Sequence, residues 1–133
     1  MKVIILLANG FEEVEALAQV DFLRRAGIEV DTVSIHETLE VIGQSKITII
    51  ADNLYTQINQ DDYDAVILPG GKIGMLNLQD DTRVLELIKK YYERQKVIAA
   101  ICAAPSILGK LNLLAGKSAS AIQASKIIYV VQI

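Results

Sequence analysis

The sequence predicts an α/β fold in which a mostly parallel sheet is covered by helices on both faces. Three observations predict it. Short segments such as Val3-Ile4-Ile5-Leu6-Leu7-Ala8 are apolar at every position, a pattern expected of strands buried on both sides. Segments of helical periodicity separate them, so that strand and helix alternate along the chain. Turn residues (Asn9-Gly10, Gly27, Pro69-Gly70-Gly71) stand at the boundaries.

The elements follow in order. Residues 3–8 form the first strand. Residues 12–26 read as an amphipathic helix, with Val14, Ala18, Phe22 and Ala26 recurring on one face. Arg24-Arg25 suit its last turn and Gly27 its stop. Residues 28–34 form a second strand, with Ile28, Val30 and Thr32 alternating against Glu29, Asp31 and Val33. Residues 39–50 read as two short strands around Gly43, a hairpin or edge excursion. Residues 64–68 are a buried strand, 82–94 a helix with Val84, Leu87, Ile88 and Tyr91 on one face, and 97–101 another buried strand. A helix over 103–111 follows it.

Bulk properties narrow the function. The chain has 133 residues, the size of one domain spanning 1–133. Hydrophobic residues make up 52% and charged residues 22%, enough to build a core. The net charge of −3 and the scattered Lys and Arg argue against nucleic-acid binding. No apolar stretch approaches the roughly 18 residues of a membrane span. The apolar start, broken at Asn9-Gly10, reads as a first strand rather than a secretory signal. A single cysteine allows no internal disulfide and fits a reducing cytoplasm. With one Cys and one His, no metal site is credible, and no cofactor is implied.

In open parallel sheets, sites form outside the carboxyl ends of the strands. Three features fall there: the acidic start of the first helix, the Pro69-Gly70-Gly71 turn, and Cys102. In Ala100-Ile101-Cys102-Ala103-Ala104 the cysteine stands on a tight strand-to-helix turn with small residues two places either side, as a nucleophile elbow requires. The helix that follows directs partial positive charge at the sulfur and is expected to lower the thiol pKa. Pro105 fits a first helical turn. A buried small hydrophobe that happens to end a strand fits the pentapeptide too.

Gly70-Gly71 allows close approach of a ligand and can aim N–H groups at an anion or a developing oxyanion, although a plain turn is the simpler reading in isolation. Glu12 and Glu13 are explained by the helix dipole. Glu15, nearer the apolar face, is a candidate to share a proton with Cys102. His36, in a polar stretch after the second strand, reads as a surface histidine.

Four segments in the same order together resemble the ThiJ/PfpI family, within the class I glutamine amidotransferase-like group. They are Ala8-Asn9-Gly10-Phe11-Glu12-Glu13-Val14-Glu15, Arg24-Arg25-Ala26-Gly27, residues 64–71, and Ile98-Ala99-Ala100-Ile101-Cys102-Ala103-Ala104-Pro105. The resemblance covers roughly residues 2–117. It implies a flavodoxin-like three-layer α/β/α sandwich, usually a homodimer. It also implies that Cys102 is the nucleophile, that Glu15 is hydrogen-bonded to it, and that the backbones of Gly71 and Ala103 bind an oxyanion.

The implied activities are hydrolysis of glyoxal or methylglyoxal adducts and cofactor-free conversion of methylglyoxal to lactate. Chaperone and peroxide-sensing roles are implied as well. The implied partner is therefore a small aldehyde or glycated substrate.

The resemblance ends near Gly116-Lys117. Members of the family usually carry a histidine near the cysteine after that point, followed by further strands and a closing helix. Residues 118–133 have no histidine and end in a β-prone segment, Lys126-Ile127-Ile128-Tyr129-Val130-Val131-Gln132-Ile133. The chain thus reads as a C-terminally shortened member, either a frameshifted product or a natural short form whose tail strand joins a sheet. Three functions follow: a cysteine-dependent enzyme acting on reactive aldehydes, a non-catalytic thiol redox sensor or chaperone-like stress protein, or an inactive degenerate fold.

Overall fold

The computed structural model describes residues 1–117 and the strand Tyr129–Val131. The elements run β1 (Lys2–Leu7), α1 (Glu13–Arg25), β2 (Glu29–Ser34), β3 (Glu40–Ile42), β4 (Thr48–Ile50), β5 (Asn53–Leu54), β6 (Ala65–Leu68), α2 (Lys72–Asp80), α3 (Thr82–Glu93), β7 (Val97–Ile101), α4 (Pro105–Lys110) and β8 (Tyr129–Val131). The main sheet has the order β5-β2-β1-β6-β7-β8. Its pairings are parallel except for β8, which runs antiparallel to β7 at the edge. β3 and β4 form a separate antiparallel hairpin. This is the mostly parallel sheet covered by helices that the sequence pattern predicts, and the flavodoxin-like sandwich that the resemblance implies.

Two-sided burial explains the apolar runs. Ile4, Leu6 and Ala8 face one core layer with Leu78, Val84, Leu87, Ile88 and Tyr91 of α2 and α3. Val3, Ile5 and Leu7 face the other, with Phe11, Ala16 of α1 and Val41 of the hairpin. Fully burying one such side chain is worth about 1.5–3 kcal/mol, so these strands are bound to the core on both faces.

Several sequence expectations change. On α1, Val14 and Phe22 are 71% and 65% exposed; the inward stripe is Ala16, Val20 and Leu23. The helix carries apolar residues on both sides, so periodicity by itself picks out the wrong face. On β2, Val33 is buried as well as Val30, because the far layer also covers this strand. Periodicity does not reveal α2, since its only buried residues are Gly74 and Leu78 and no apolar stripe marks it. β5, two residues long, leaves no signal. α4 is shorter than expected and begins at Pro105. The β-prone tail does join this chain's own sheet through residues 129–131.

Candidate active site

Strand register brings the site together. β6 and β7 are paired neighbours with Leu68 opposite Ala100. Two residues further on, Gly70 therefore lies beside Cys102. A Cβ on Gly70 would stand 2.6 Å from the Cβ of Cys102 and would overlap the Glu15 carboxylate. Gly71, with φ +88°, caps the start of α2, and a Cβ there would meet the Glu12 nitrogen at 2.7 Å. Only glycines allow the three loops to close this tightly.

Cys102 has φ +63°, in the left-handed region that non-glycine residues rarely enter. The strained elbow lifts the side chain out of the line of β7, while Ala100 and Ala104 on either side are buried. Small residues are needed there because the sheet and α4 close around the turn.

Glu15 approaches from the first turn of α1. Its own N–H donates to Glu12 Oε2 at 2.7 Å, which caps the helix. Its Oε2 accepts from the Gly70 N–H at 2.8 Å, and its carboxyl group lies beside Cys102, both crowding the place a Gly70 Cβ would take. The backbone N–H groups of Gly71 and Ala103 favour the ionised sulfur. Glu15, Gly70, Gly71, Ala103 and Cys102 are thus gathered at one point. Glu15 reaches it from the helix end over the glycine turn, not by facing the Val14–Ala18 side.

Electrostatics here depart from the expected lowering of the thiol pKa. Burial raises the Cys102 pKa, and the hydrogen bond and charge of Glu15 raise it further; the Gly71 and Ala103 amides pull the other way without prevailing. Burial likewise raises the Glu15 carboxyl above its ordinary value, against the thiol and Gly70 hydrogen bonds. The sulfur therefore keeps its proton at neutral pH, beside the carboxyl group of Glu15.

One acidic and one basic residue depart from what the sequence pattern predicts. Glu13 is 4% exposed, and its Oε1 accepts from the Ser45 N–H at 2.8 Å, fixing the hairpin turn to α1. Helix-dipole reasoning alone misses this role; the hairpin glycine, Gly43, packed directly on the Glu13 carboxylate, was the available signal. His36 is half-buried, with Nε2 accepting from the Asn9 N–H at 2.9 Å. It follows β2, which β1 and β6 separate from β7, so it is not a partner of Cys102. Among the described residues, no group of three His, Cys, Asp or Glu side chains could hold a metal ion. No helix among them is long and apolar enough to cross a membrane.

This fold and elbow have relatives. The chain matches the DJ-1/PfpI family over residues 1–130. The chain belongs to the DJ-1/PfpI family. It is 36% identical over 115 residues to Protein dj-1beta of Drosophila melanogaster, covering 86% of this chain and 62% of that protein. It is 34% identical over 124 residues to Protein DJ-1 homolog B of Arabidopsis thaliana, covering 92% of this chain and 28% of that protein.

Among solved structures, oxidized Toxoplasma gondii DJ-1 superimposes with a TM-score of 0.86 at 36% identity, over 90% of this chain and 66% of that one. Drosophila melanogaster DJ-1beta superimposes with a TM-score of 0.80 at 34% identity, over 84% of this chain and 60% of that one. The chain therefore spans less than two thirds of these two curated relatives, and it joins the DJ-1/PfpI family through the part that carries the elbow.

Proposed function

We propose that this DJ-1/PfpI family protein is a cysteine-dependent enzyme acting on small reactive aldehydes or their adducts, such as methylglyoxal and glyoxal-modified groups. The observation that carries this reading is the Glu15 carboxylate, held by the Gly70 N–H and set beside the Cys102 thiol. A thiol whose pKa is raised needs a base at the moment of attack, and Glu15 is the carboxylate beside it.

The proposed course is as follows. Sγ of Cys102 attacks the aldehyde carbon while its proton passes to Glu15, and the new alkoxide accepts from the Gly71 and Ala103 amides. Glu15 returns the proton to that oxygen, giving a hemithioacetal. With methylglyoxal, Glu15 then moves the former aldehyde hydrogen, as a proton, to the neighbouring carbonyl carbon. The result is a thioester of lactate, which water hydrolyses to lactate and the free thiol. With a glyoxal adduct of an amine, the same thioester route follows release of the amine. No cofactor is required by either sequence.

The alternative is a thiol redox sensor. The part-exposed sulfur and its two amide donors favour a stabilised oxidised form, and the Toxoplasma relative was solved oxidized. Oxidation by peroxide starts from the thiolate, which the Glu15 charge disfavours at rest. That difference puts the enzyme first.

We also propose a homodimer, in which the exposed Val14 and Phe22 of α1 are covered by a second copy, and a cytoplasmic setting. The deciding experiment is methylglyoxal consumption by the purified chain beside a Cys102→Ala control. Turnover that disappears in the control supports the enzyme. No excess over the control, with peroxide adding oxygen to Cys102, supports the sensor.

A further inference from the structure

We propose that His36 is a positioning residue for the Cys102–Glu15 pair, acting through the backbone of Asn9, and that protonation of its imidazole releases the loop that carries the pair. The inference deepens the reading of Cys102 and Glu15 given above and rests on it.

Asn9 opens the connection from β1 to α1 and is held on three sides. Its N–H donates to His36 Nε2 at 2.9 Å, its Oδ1 accepts from the Ile42 N–H at 2.9 Å, and its carbonyl accepts from Asn77 Nδ2 at 2.8 Å. The next residues lead directly to the site. Gly10 donates to the Ile42 carbonyl at 2.7 Å and accepts from the Gly74 N–H at 3.1 Å. Glu12 donates to the Gly70 carbonyl at 3.0 Å and caps Glu15 through its side chain. A shift at Asn9 is therefore transmitted to the two residues that frame the thiol proton, Gly70 and Glu15.

The latch depends on a charge state. Because Nε2 accepts, it carries no proton, and the neutral ring keeps its hydrogen on Nδ1. Protonation places a second N–H on Nε2, facing the Asn9 N–H. Two donors then meet where one bond stood, and the Asn9 amide loses its acceptor.

Burial lowers the His36 pKa most; Asp81 favours the charged ring and Arg83 opposes it. Glu37 lines one hollow beside the ring, and Asp80 a second. The first hollow, about 740 Å³ and also lined by Thr38 and Thr56, admits solvent to the ring. The sign follows: the unfolded chain takes the proton near the ordinary 6.5, the folded chain only below it. The hold is complete above 6.5 and is lost as pH falls through the folded value.

The test is a pH titration followed by nuclear magnetic resonance on ¹⁵N-labelled protein, with wild type, His36→Gln and His36→Leu. In the wild type, the His36 ring and the Asn9 amide are expected to titrate together with a midpoint below 6.5, and the Gly70 amide to follow. In His36→Gln the amide oxygen accepts from Asn9 without titrating. That midpoint should vanish from both Asn9 and Gly70, leaving only the Glu15 response. In His36→Leu the Asn9 amide should exchange with solvent roughly five- to tenfold faster at every pH, as for loss of one hydrogen bond.

An Asn9 amide that ignores the His36 titration overturns the proposal, as does a Gly70 amide that titrates identically in wild type and His36→Gln. None of these readouts needs turnover. A protein inactive on aldehydes would sink the enzymatic reading and leave this one standing.

Discussion

Gly70 and Cys102 lie side by side at the ends of paired strands, so close that a methyl group on Gly70 would sit 2.6 Å from the Cys102 Cβ. The same methyl group would overlap the Glu15 carboxylate. Gly70→Ala is therefore expected to push Glu15 off the thiol and to cost about 1–3 kcal/mol by overpacking. Urea unfolding measures the stability loss, and the pH midpoint of Cys102 alkylation should fall because the nearby carboxylate is displaced. A stable variant with an unmoved midpoint would mean that the contact is not tight.

Glu15→Gln separates two meanings of an activated thiol. The carboxylate raises the Cys102 pKa, so its replacement by a neutral amide should move the alkylation midpoint down. Turnover should nevertheless drop by roughly a hundredfold or more, the usual worth of a general base. A variant with a lower thiol midpoint and retained turnover would show that thiolate formation, and not proton transfer, limits the reaction.

The pH profile of kcat/KM carries the same signature. Attack needs Glu15 ionised and Cys102 protonated, so the acid limb should fall with an apparent pKa above the ordinary carboxyl value of 4.5. The alkaline limb should lie above the ordinary thiol value of 9.0. Both limbs belong to the coupled pair rather than to either residue. An acid limb at or below 4.5 would remove Glu15 as the base.

How much of this was legible in the sequence depends on where the causes lie. The runs 3–8 and 97–101 read as strands because burial on both faces leaves no polar position to misplace, and the strands found are Lys2–Leu7 and Val97–Ile101. The Cys102 turn was visible in its flanking alanines, whose size is dictated by local backbone. The direction of the thiol pKa was not, because it comes from burial and from a carboxylate brought across the sheet from α1. Periodicity points to the outward side of α1 because Val14 and Phe22 are apolar without being core. Local sequence offers only a dipole effect for Glu13 because its partner, Ser45, comes from a distant hairpin.

Asp52 offers a test of the frame away from the site. Its Oδ2 accepts from the Thr32 N–H at 2.8 Å, the Thr32 hydroxyl at 2.8 Å and Arg24 at 2.7 Å, joining β2, α1 and the end of the hairpin. Burial opposes its ionisation, but these bonds prevail and lower its pKa below the ordinary 3.8. Its stabilisation is thus present above pH 3.8 and lost as pH falls through the folded value. Asp52→Ala should cost about 1–3 kcal/mol at neutral pH, because Thr32 is left without its acceptor. The difference from wild type should shrink in acid; chemical denaturation at pH 7 and near pH 2.5 measures it. An equal difference at both would deny the ionised carboxylate its role.

The outward face of α1 tests the proposed assembly. Val14 and Phe22 are the most exposed large apolar residues on that helix, on the side away from Ala16 and Leu23. If a second copy covers them, Phe22→Asp introduces a charge into an apolar contact, and dissociation should follow. Sedimentation equilibrium of wild type should give twice the chain mass, and of Phe22→Asp a mass near that of one chain. Because Phe22 lies outside the core, the thermal unfolding of the variant at high dilution should match that of the wild type. A monomeric wild type, or a dimer indifferent to Phe22→Asp, would move the interface off this face.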